Sequence, residues 1–293
     1  MPTEPPSRRN DYFIDAESAT EMARLMGQDH LITKGMGGAF SEQSDISTMH
    51  HILDLACGPG GWVLDVAFAY PTVEVVGVDI SETMIGYASA QAWTQQMNNA
   101  SFRVMDVTKK LDFPEGSFDL VNARFLGFLP PAAWPRLIQE CVRIIRPGGV
   151  IRLTESEWGF TNSPAYEKLY ALFANAMKAA GQRFSPERPM LGITPMLGSF
   201  LRNAGFLNIQ QKAHVIDFSI GTEEYEAFRQ NWRVAFKLLE PFCVKMGVTT
   251  EEEFDQLYER LELEMLLDNF RGIMFLLTAW GERPQTNGLH IES

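Results

Sequence analysis

From His51 to Thr154 the chain repeats one pattern, a short apolar run followed by a turn and a longer stretch whose apolar residues recur at helical spacing. This alternation predicts a parallel sheet with helices on both faces, because strands covered on both sides read as continuous Val, Ile and Leu. The predicted strands are 52–55, 73–78, 101–105, 118–123 and 150–154. Helices are predicted at 62–69, ending before Pro71, from Ser81 as cap through Met84, Ile85 and Ala88, and at 132–145, ending at Pro147. Arg146-Pro-Gly-Gly149 then predicts a turn back into the sheet.

Ahead of this core, Asp15 stands where it can accept the first free N–H groups of a helix, and Met22, Leu25 and Met26 carry the periodicity to about Leu31. Gly35-Met-Gly-Gly38 suits a bend. Beyond Thr154 come helices at 164–180 and 194–204, a strand at 208–220, two inserted helices, and a last strand at 272–280. The first inserted helix carries Tyr225, Phe228, Trp232, Phe236 and Leu239 in a stripe; a capping box of Thr250 and Glu253 opens the second. No repeat or linker interrupts the chain, so residues 1–293 are expected to form a single domain. Its sheet core lies at about 48–220 plus a last strand at about 268–284, with cap elements at about 10–45, 160–190 and 221–267. The expected fold class is α/β, a Rossmann-like doubly wound, mostly parallel seven-stranded sheet with helical cap insertions.

Charge narrows the partners. Against 37 Asp and Glu there are 25 Lys and Arg, a net charge of −12 that repels phosphate backbones, so no nucleic-acid partner is expected. Cys57, Cys141 and Cys243 are too scattered for a disulfide framework, and the five His lack metal-ligand spacing, so no metal site is expected. The longest apolar stretch, 273–280, is far short of the ~20 residues that cross a bilayer. A cytoplasmic protein without membrane insertion is the expectation, as a monomer or a homodimer.

Where the first strand meets the first helix the sequence reads Ile52-Leu-Asp-Leu-Ala-Cys-Gly-Pro-Gly-Gly61. Glycine there lets a ligand lie against bare backbone, and the helix N-terminus supplies free N–H donors. A dinucleotide fingerprint fails, since its third glycine would fall on Val63. The second strand ends in Asp79, on the same crevice in a doubly wound sheet.

These residues resemble motif I and the following acidic position of the class I S-adenosylmethionine-dependent methyltransferases, with Asp54, Ala56, Gly58 and Gly60 at the matching places. The resemblance implies that Asp54 stands near the cofactor's ammonium and that Asp79, followed by Ile80, holds the ribose hydroxyls. Met105-Asp-Val107 is similar to the segment in which an acid, here Asp106, and the next backbone N–H, that of Val107, address the adenine edge. Phe118-Asp-Leu-Val-Asn-Ala123 resembles motif IV, whose end at Asn122 borders the transferable methyl. The similarity spans His51 to Glu155. Among its members the quinone-biosynthesis and natural-product enzymes are the most alike in pattern, and the implied acceptor is a small, partly apolar metabolite. A tRNA or protein acceptor, or a binding module that retains the cofactor without transfer, are the alternatives.

Methyl transfer from a sulfonium is an in-line displacement to which a protein chiefly contributes orientation. Candidate catalytic residues are His30, Arg124 and Glu155. His30, beside the glycine patch, either reaches the crevice or serves as a cation at a helix C-terminus. Arg124 follows the fourth strand and either holds an anionic acceptor or pairs with an acid. Glu155 and Glu157 share the ligand edge, where each either handles an acceptor or stands as a loop acid. Tyr12 and the aromatic stripe are packing residues or part of a cover. The N-terminal segment and the inserted helices are expected to cover the acceptor rather than the cofactor.

Overall fold

A computed structural model describes residues 12–42 and 46–285; the N-terminal tail up to residue 11 and His290 lie outside them. The first helix, α1 (Ala19–Gly35), is capped by Ser18, whose Oγ accepts the Glu21 N–H at 3.3 Å. Asp15, the expected cap, instead closes a turn ahead of the helix: its Oδ1 accepts the Glu17 N–H and its carbonyl the Ser18 N–H. The helix therefore starts later than the sequence suggests, and it runs past Leu31 to Gly35.

The core follows as β1 (His51–Leu55), α2 (Gly61–Ala69), β2 (Glu74–Asp79), α3 (Glu82–Thr94), β3 (Ala100–Val104), β4 (Phe118–Arg124), α4 (Trp134–Ile144) and β5 (Ile145–Thr161). Then come α5 (Pro164–Ala179), α6 (Leu197–Asn203), β6 (Leu207–Asp217), α7 (Tyr225–Lys245), α8 (Glu251–Met265) and β7 (Gly272–Glu282). All seven strands join one sheet in the order β3-β2-β1-β4-β5-β7-β6, with β7 antiparallel to both neighbours and the other pairs parallel. This is the expected fold class. After β3 the chain crosses to the other side of β1, so strand order reverses between β1 and β4, and their carboxyl ends open the crevice where ligands bind in such sheets.

The strands are covered on both faces. Ile52 packs with Trp62, Val66 and Val75 on one side, whereas Leu53 and Leu55 face Val121, Leu153 and the larger cluster that includes α5 and α7. Three expectations need correction. Ile145 already pairs with Phe118 and Val150 with Leu120, so residues 146–149 form a bulge inside β5 rather than a turn before it. Gly149 is required there, because a Cβ would lie 2.9 Å from the Asp119 carbonyl oxygen. β5 also continues past Thr154, held by β7 as far as the Thr161–Gly272 pair. β6 in turn ends at Asp217, short of residue 220, where Asp217 Oδ1 takes the Ser219 N–H at 2.9 Å. The Thr250–Glu253 capping box of α8 is present on both sides.

Candidate active site

The carboxyl ends of β1, β2 and β4 open on a cavity of about 220 Å³. Leaving β1, the backbone passes through left-handed conformations at Ala56 (φ 51°), Gly58 (φ 54°) and Gly60 (φ 82°), the last being the cap residue of α2. Gly60 tolerates no side chain: a Cβ would stand 2.7 Å from the Phe102 ring and 2.8 Å from Ala88 Cβ. Asp79 fastens this loop to the end of β2, since its Oδ2 accepts the Gly58 N–H and its Oδ1 the Ser81 N–H, both at 2.9 Å. Burial raises the Asp79 pKa even against these backbone bonds.

Asp54 is 3% exposed, and burial pushes its carboxyl up to about 7 despite the opposing Arg124 charge and a hydrogen bond from Asn122. That bond, Asn122 Nδ2 to Asp54 Oδ1, is 2.7 Å long; Asn122 Oδ1 accepts from Arg152 Nη1 at 2.7 Å, and Arg152 is ion-paired with Glu42. A buried polar row thus runs from Asp54 away from the cavity. Asp106 behaves oppositely to Asp54: burial favours its neutral form, but Lys109 at 2.8 Å and the Thr108 N–H and hydroxyl outweigh this and hold it below the usual range.

Of the residues the sequence singles out for the cofactor, Asp54, Ala56, Gly58, Asp79, Ile80, Asp106 and Val107 line the cavity together. Gly60 and Asn122 stand behind it, the one shaping the loop and the other supporting Asp54.

The candidate catalytic residues divide. Arg124 lines the cavity but is ion-paired with Asp29 and donates to Thr33 Oγ1 at 3.1 Å, so its partner is an acid of this chain. His30 is exposed on α1 and does not line the cavity. Nor does it end the helix, because α1 continues to Gly35; its electrostatic partner is Asp65 on α2. Glu155 lines the cavity, and burial raises its pKa well above the ordinary value, against the Leu126 and Gly127 backbone N–H groups. Glu157 lies elsewhere, its carboxylate accepting the Gly192 N–H at 2.7 Å and the Thr194 N–H and hydroxyl at 3.0 Å. Residues two apart on a regular strand share a face. The β5–β7 register shifts between Ser156 and Gly159, with Trp158 at φ 69°, and this bulge separates the two acids.

The other end of the cavity is aromatic, lined by Phe13, Phe128, Trp158, Phe173 and Trp232. Trp158 stacks on Phe173 with centroids 4.5 Å apart and lies 5.2 Å from Trp232. Within the α7 stripe, Trp232 reaches the cavity while Phe228 and Phe236 are buried in the core and the Tyr225 hydroxyl donates to the Met265 carbonyl. Tyr12 also lines the cavity and donates to Glu21 Oε1 at 2.5 Å. Non-glycine residues with left-handed backbone are few, and Ala56, Phe125 and Trp158 among them all line this cavity; strain of that kind concentrates at functional sites.

The expected separation of cover from cofactor cradle fails for the N-terminal segment. Ser81 Oγ donates to the Ala16 carbonyl and the Thr83 N–H to Glu17 Oε2, both at 3.0 Å, directly beside Asp79. The sequence carried no signal for Arg24, Asp29, Trp158 or Phe173, which also line the cavity. Each arrives by tertiary juxtaposition rather than by a local motif. Among the described residues no group of three or more His, Cys, Asp or Glu could hold a metal ion, and no helix is long and apolar enough to cross a membrane.

Residues 52–149 match the protein family described as a methyltransferase domain. Over 136 residues the chain is 32% identical to a demethylmenaquinone methyltransferase of Lactococcus lactis, covering 46% of this chain and 52% of that protein. Over 180 residues it is 29% identical to a probable methyltransferase of Aspergillus luteorubrus, covering 58% and 61% respectively. The chain thus spans between about half and three fifths of the length of these relatives. In fold it is similar to phosphoethanolamine N-methyltransferase 2 of Haemonchus contortus, solved in complex with S-adenosyl-L-methionine. The TM-score is 0.57 at 17% identity, over 96% of this chain and 62% of that one. In fold the chain is thus similar to a methyltransferase, and its match to the methyltransferase-domain family, residues 52–149, lies within the span where the motif resemblance falls.

Proposed function

We propose that this protein transfers the methyl group of S-adenosylmethionine to a small, partly apolar metabolite by in-line displacement, in the cytoplasm and as one domain with helical caps. The observation that carries this reading is the polarity of one cavity: carboxylates from the ends of β1 and β2 and from the segment after β3 line one side, and an aromatic wall lines the other. The donor set suits the cofactor. Asp54 would face its ammonium, whose positive charge favours the ionised form of a carboxyl poised near 7. Asp79, already fixed by two backbone N–H groups, would accept from the ribose hydroxyls, and Asp106 with the Val107 N–H would meet the adenine edge. When bound, the cofactor supplies an electrophilic methyl on a sulfonium.

The remaining work belongs to the chain. Rigid aromatic rings limit water and hold an acceptor in line, where orientation is worth most. Burial disfavours the ionised form of Glu155, which makes its carboxyl better suited to hydrogen-bond an acceptor than to serve as a resting general base. The demethylmenaquinone methyltransferase relatives agree with an acceptor that carries apolar surface.

The test is incubation with methyl-labelled cofactor and a metabolite extract, followed by mass spectrometry. A labelled small molecule is expected. Label confined to tRNA or protein would favour a macromolecular acceptor, and cofactor binding without any labelled product would favour a binding module.

A further inference from the structure

Asp54, Asn122 and Arg152 occupy one rung of the sheet: Asp54 on β1 is the register partner of Asn122 on β4, and Asn122 that of Arg152 on β5. Polar side chains side by side on a covered sheet face are costly unless they satisfy one another. Here they do. Arg152 is 1% exposed, and its Nε and Nη2 are bonded to the two carboxylate oxygens of Glu42, a fully buried side chain from the segment after α1. Its remaining nitrogen, Nη1, donates to Asn122 Oδ1 at 2.7 Å.

The order of donors along the rung is forced. A guanidinium carries only donors, so the Asn122 atom that faces it must be the oxygen. The amide nitrogen is thereby turned to Asp54 as a donor, 2.7 Å from its Oδ1. Without Arg152 the amide could turn over and accept from a protonated Asp54 equally well; with Arg152 in place it favours the carboxylate. An ion pair this buried adds little to stability, because desolvation offsets its attraction. What Glu42 and Arg152 supply, and an apolar pair could not, is the orientation of that amide.

We infer that Arg152, clamped by Glu42, is a positioning residue for the cofactor's ammonium: acting through the Asn122 amide, it presents Asp54 to the cavity as an ionised acceptor. The inference rests on the proposed methyl-transfer reading, which puts the ammonium at Asp54. Neither Arg152 nor Glu42 lines the cavity, so both act at one remove. The other groups facing Asp54 are Arg124 on β4, ion-paired with Asp29 of α1, and the Cys57 thiol, which burial beside Asp54 and Asp79 keeps protonated. These stay in place when the buried pair is replaced.

The Asp54 carboxyl can be followed in the ligand-free full chain by NMR of protein carrying isotope-labelled aspartate, with Asp54→Asn as the assignment control. Glu42→Gln combined with Arg152→Met leaves the net charge unchanged, so the Asp54 midpoint then reports the amide. That midpoint should rise by about one pH unit. By calorimetry, S-adenosylhomocysteine affinity should be roughly fivefold weaker than native at pH 7 and within about twofold of it at pH 9, where Asp54 is ionised in both proteins. Asn122→Leu should raise the midpoint as much, and adding the paired substitutions to it should move the midpoint little further. A merely structural pair would lower Tm and leave the midpoint where it was; that result, or shifts that simply add in the Asn122→Leu background, overturns the inference. Should the variants not fold, the native protein decides: the labelled Asn122 side chain should remain one water-protected amide whose resonance follows the Asp54 midpoint, and an amide that exchanges freely or ignores that midpoint overturns the inference equally. Absence of S-adenosylhomocysteine binding at every pH would overturn the methyl-transfer reading and the ammonium assignment with it, whereas binding that does not follow the Asp54 midpoint would overturn the Arg152 assignment alone.

Discussion

Asn122 and Asp54 are register partners across the β1–β4 ladder, and the Asn122 amide donates to the Asp54 carboxylate at 2.7 Å with both side chains buried. The carboxylate therefore meets a fixed neutral donor instead of water, and burial raises its pKa from 3.8 to about 7. A carboxyl whose folded pKa lies above its unfolded value binds protons more tightly in the native state. Its contribution to stability is fully present below about pH 4 and is lost as pH rises through about 7.

Asp54→Asn should accordingly be more stable than the native protein at pH 8 in the absence of ligand, by about 2–4 °C in Tm for each 1 kcal/mol removed from the burial cost. Between pH 4 and 7 its stability should fall less steeply than that of the native protein. In the same variant, affinity for S-adenosylhomocysteine should drop by roughly ten- to a hundredfold, the loss of one charge-assisted contact. Urea unfolding across this pH range and calorimetry at pH 8 check both halves; a variant that gains no stability and keeps its affinity would remove Asp54 from the ammonium position.

Asp79 carries two duties, because the oxygens that would meet a ribose already accept the Gly58 and Ser81 N–H groups. Asp79→Ala should lose both, lowering Tm and weakening S-adenosylhomocysteine binding by about 1.5–3 kcal/mol or more. Asp79→Asn keeps one accepting oxygen but sets its amide N–H2 against the other backbone N–H, so it should lose less stability than Asp79→Ala while still losing the charge-assisted part of the affinity. Unchanged affinity in Asp79→Asn would rule out the ribose assignment.

How much of this was legible in the sequence follows from how local each residue's task is. Asp54, Gly58 and Asp79 were legible because a strand end, a glycine turn and a helix start lie within a few residues of one another. Asn122 was legible as a position, but its duty toward Asp54 and Arg152 depends on two neighbouring strands. Glu155 and Glu157 could not be told apart, since strand alternation puts them on one face and only the bulge at Trp158 separates them. Asp29 was illegible for a different reason: its partner Arg124 is brought to it by the packing of α1 against the sheet, which no spacing encodes.

Metal dependence gives a further check. With no ligand cluster among the described residues, transfer activity should be unchanged within about twofold by a chelator such as EDTA. Loss of activity that returns on adding a divalent cation would mean that oxygen ligands of this chain assemble only with substrate present.

The N-terminal segment should divide functionally within a few residues. Phe13 lies 4.9 Å from Phe173 at the aromatic end, whereas Glu17 accepts the Thr83 N–H at the start of α3, beside Asp79. Phe13 therefore packs where an acceptor would sit, and Glu17 steadies the turn that carries the cofactor carboxylate. Phe13→Ala removes an aromatic contact and buried apolar area, so it should raise the acceptor KM by about tenfold while leaving the S-adenosylhomocysteine dissociation constant within about twofold. Glu17→Ala removes the carboxylate's hydrogen bonds to the start of α3 and should weaken cofactor affinity by roughly threefold without moving the acceptor KM. Both measurements need melting curves that confirm a folded protein. If folded Phe13→Ala lost cofactor affinity instead, or folded Glu17→Ala altered only acceptor use, the segment would act as a single undivided cover and the assignment of its two ends would be reversed or wrong.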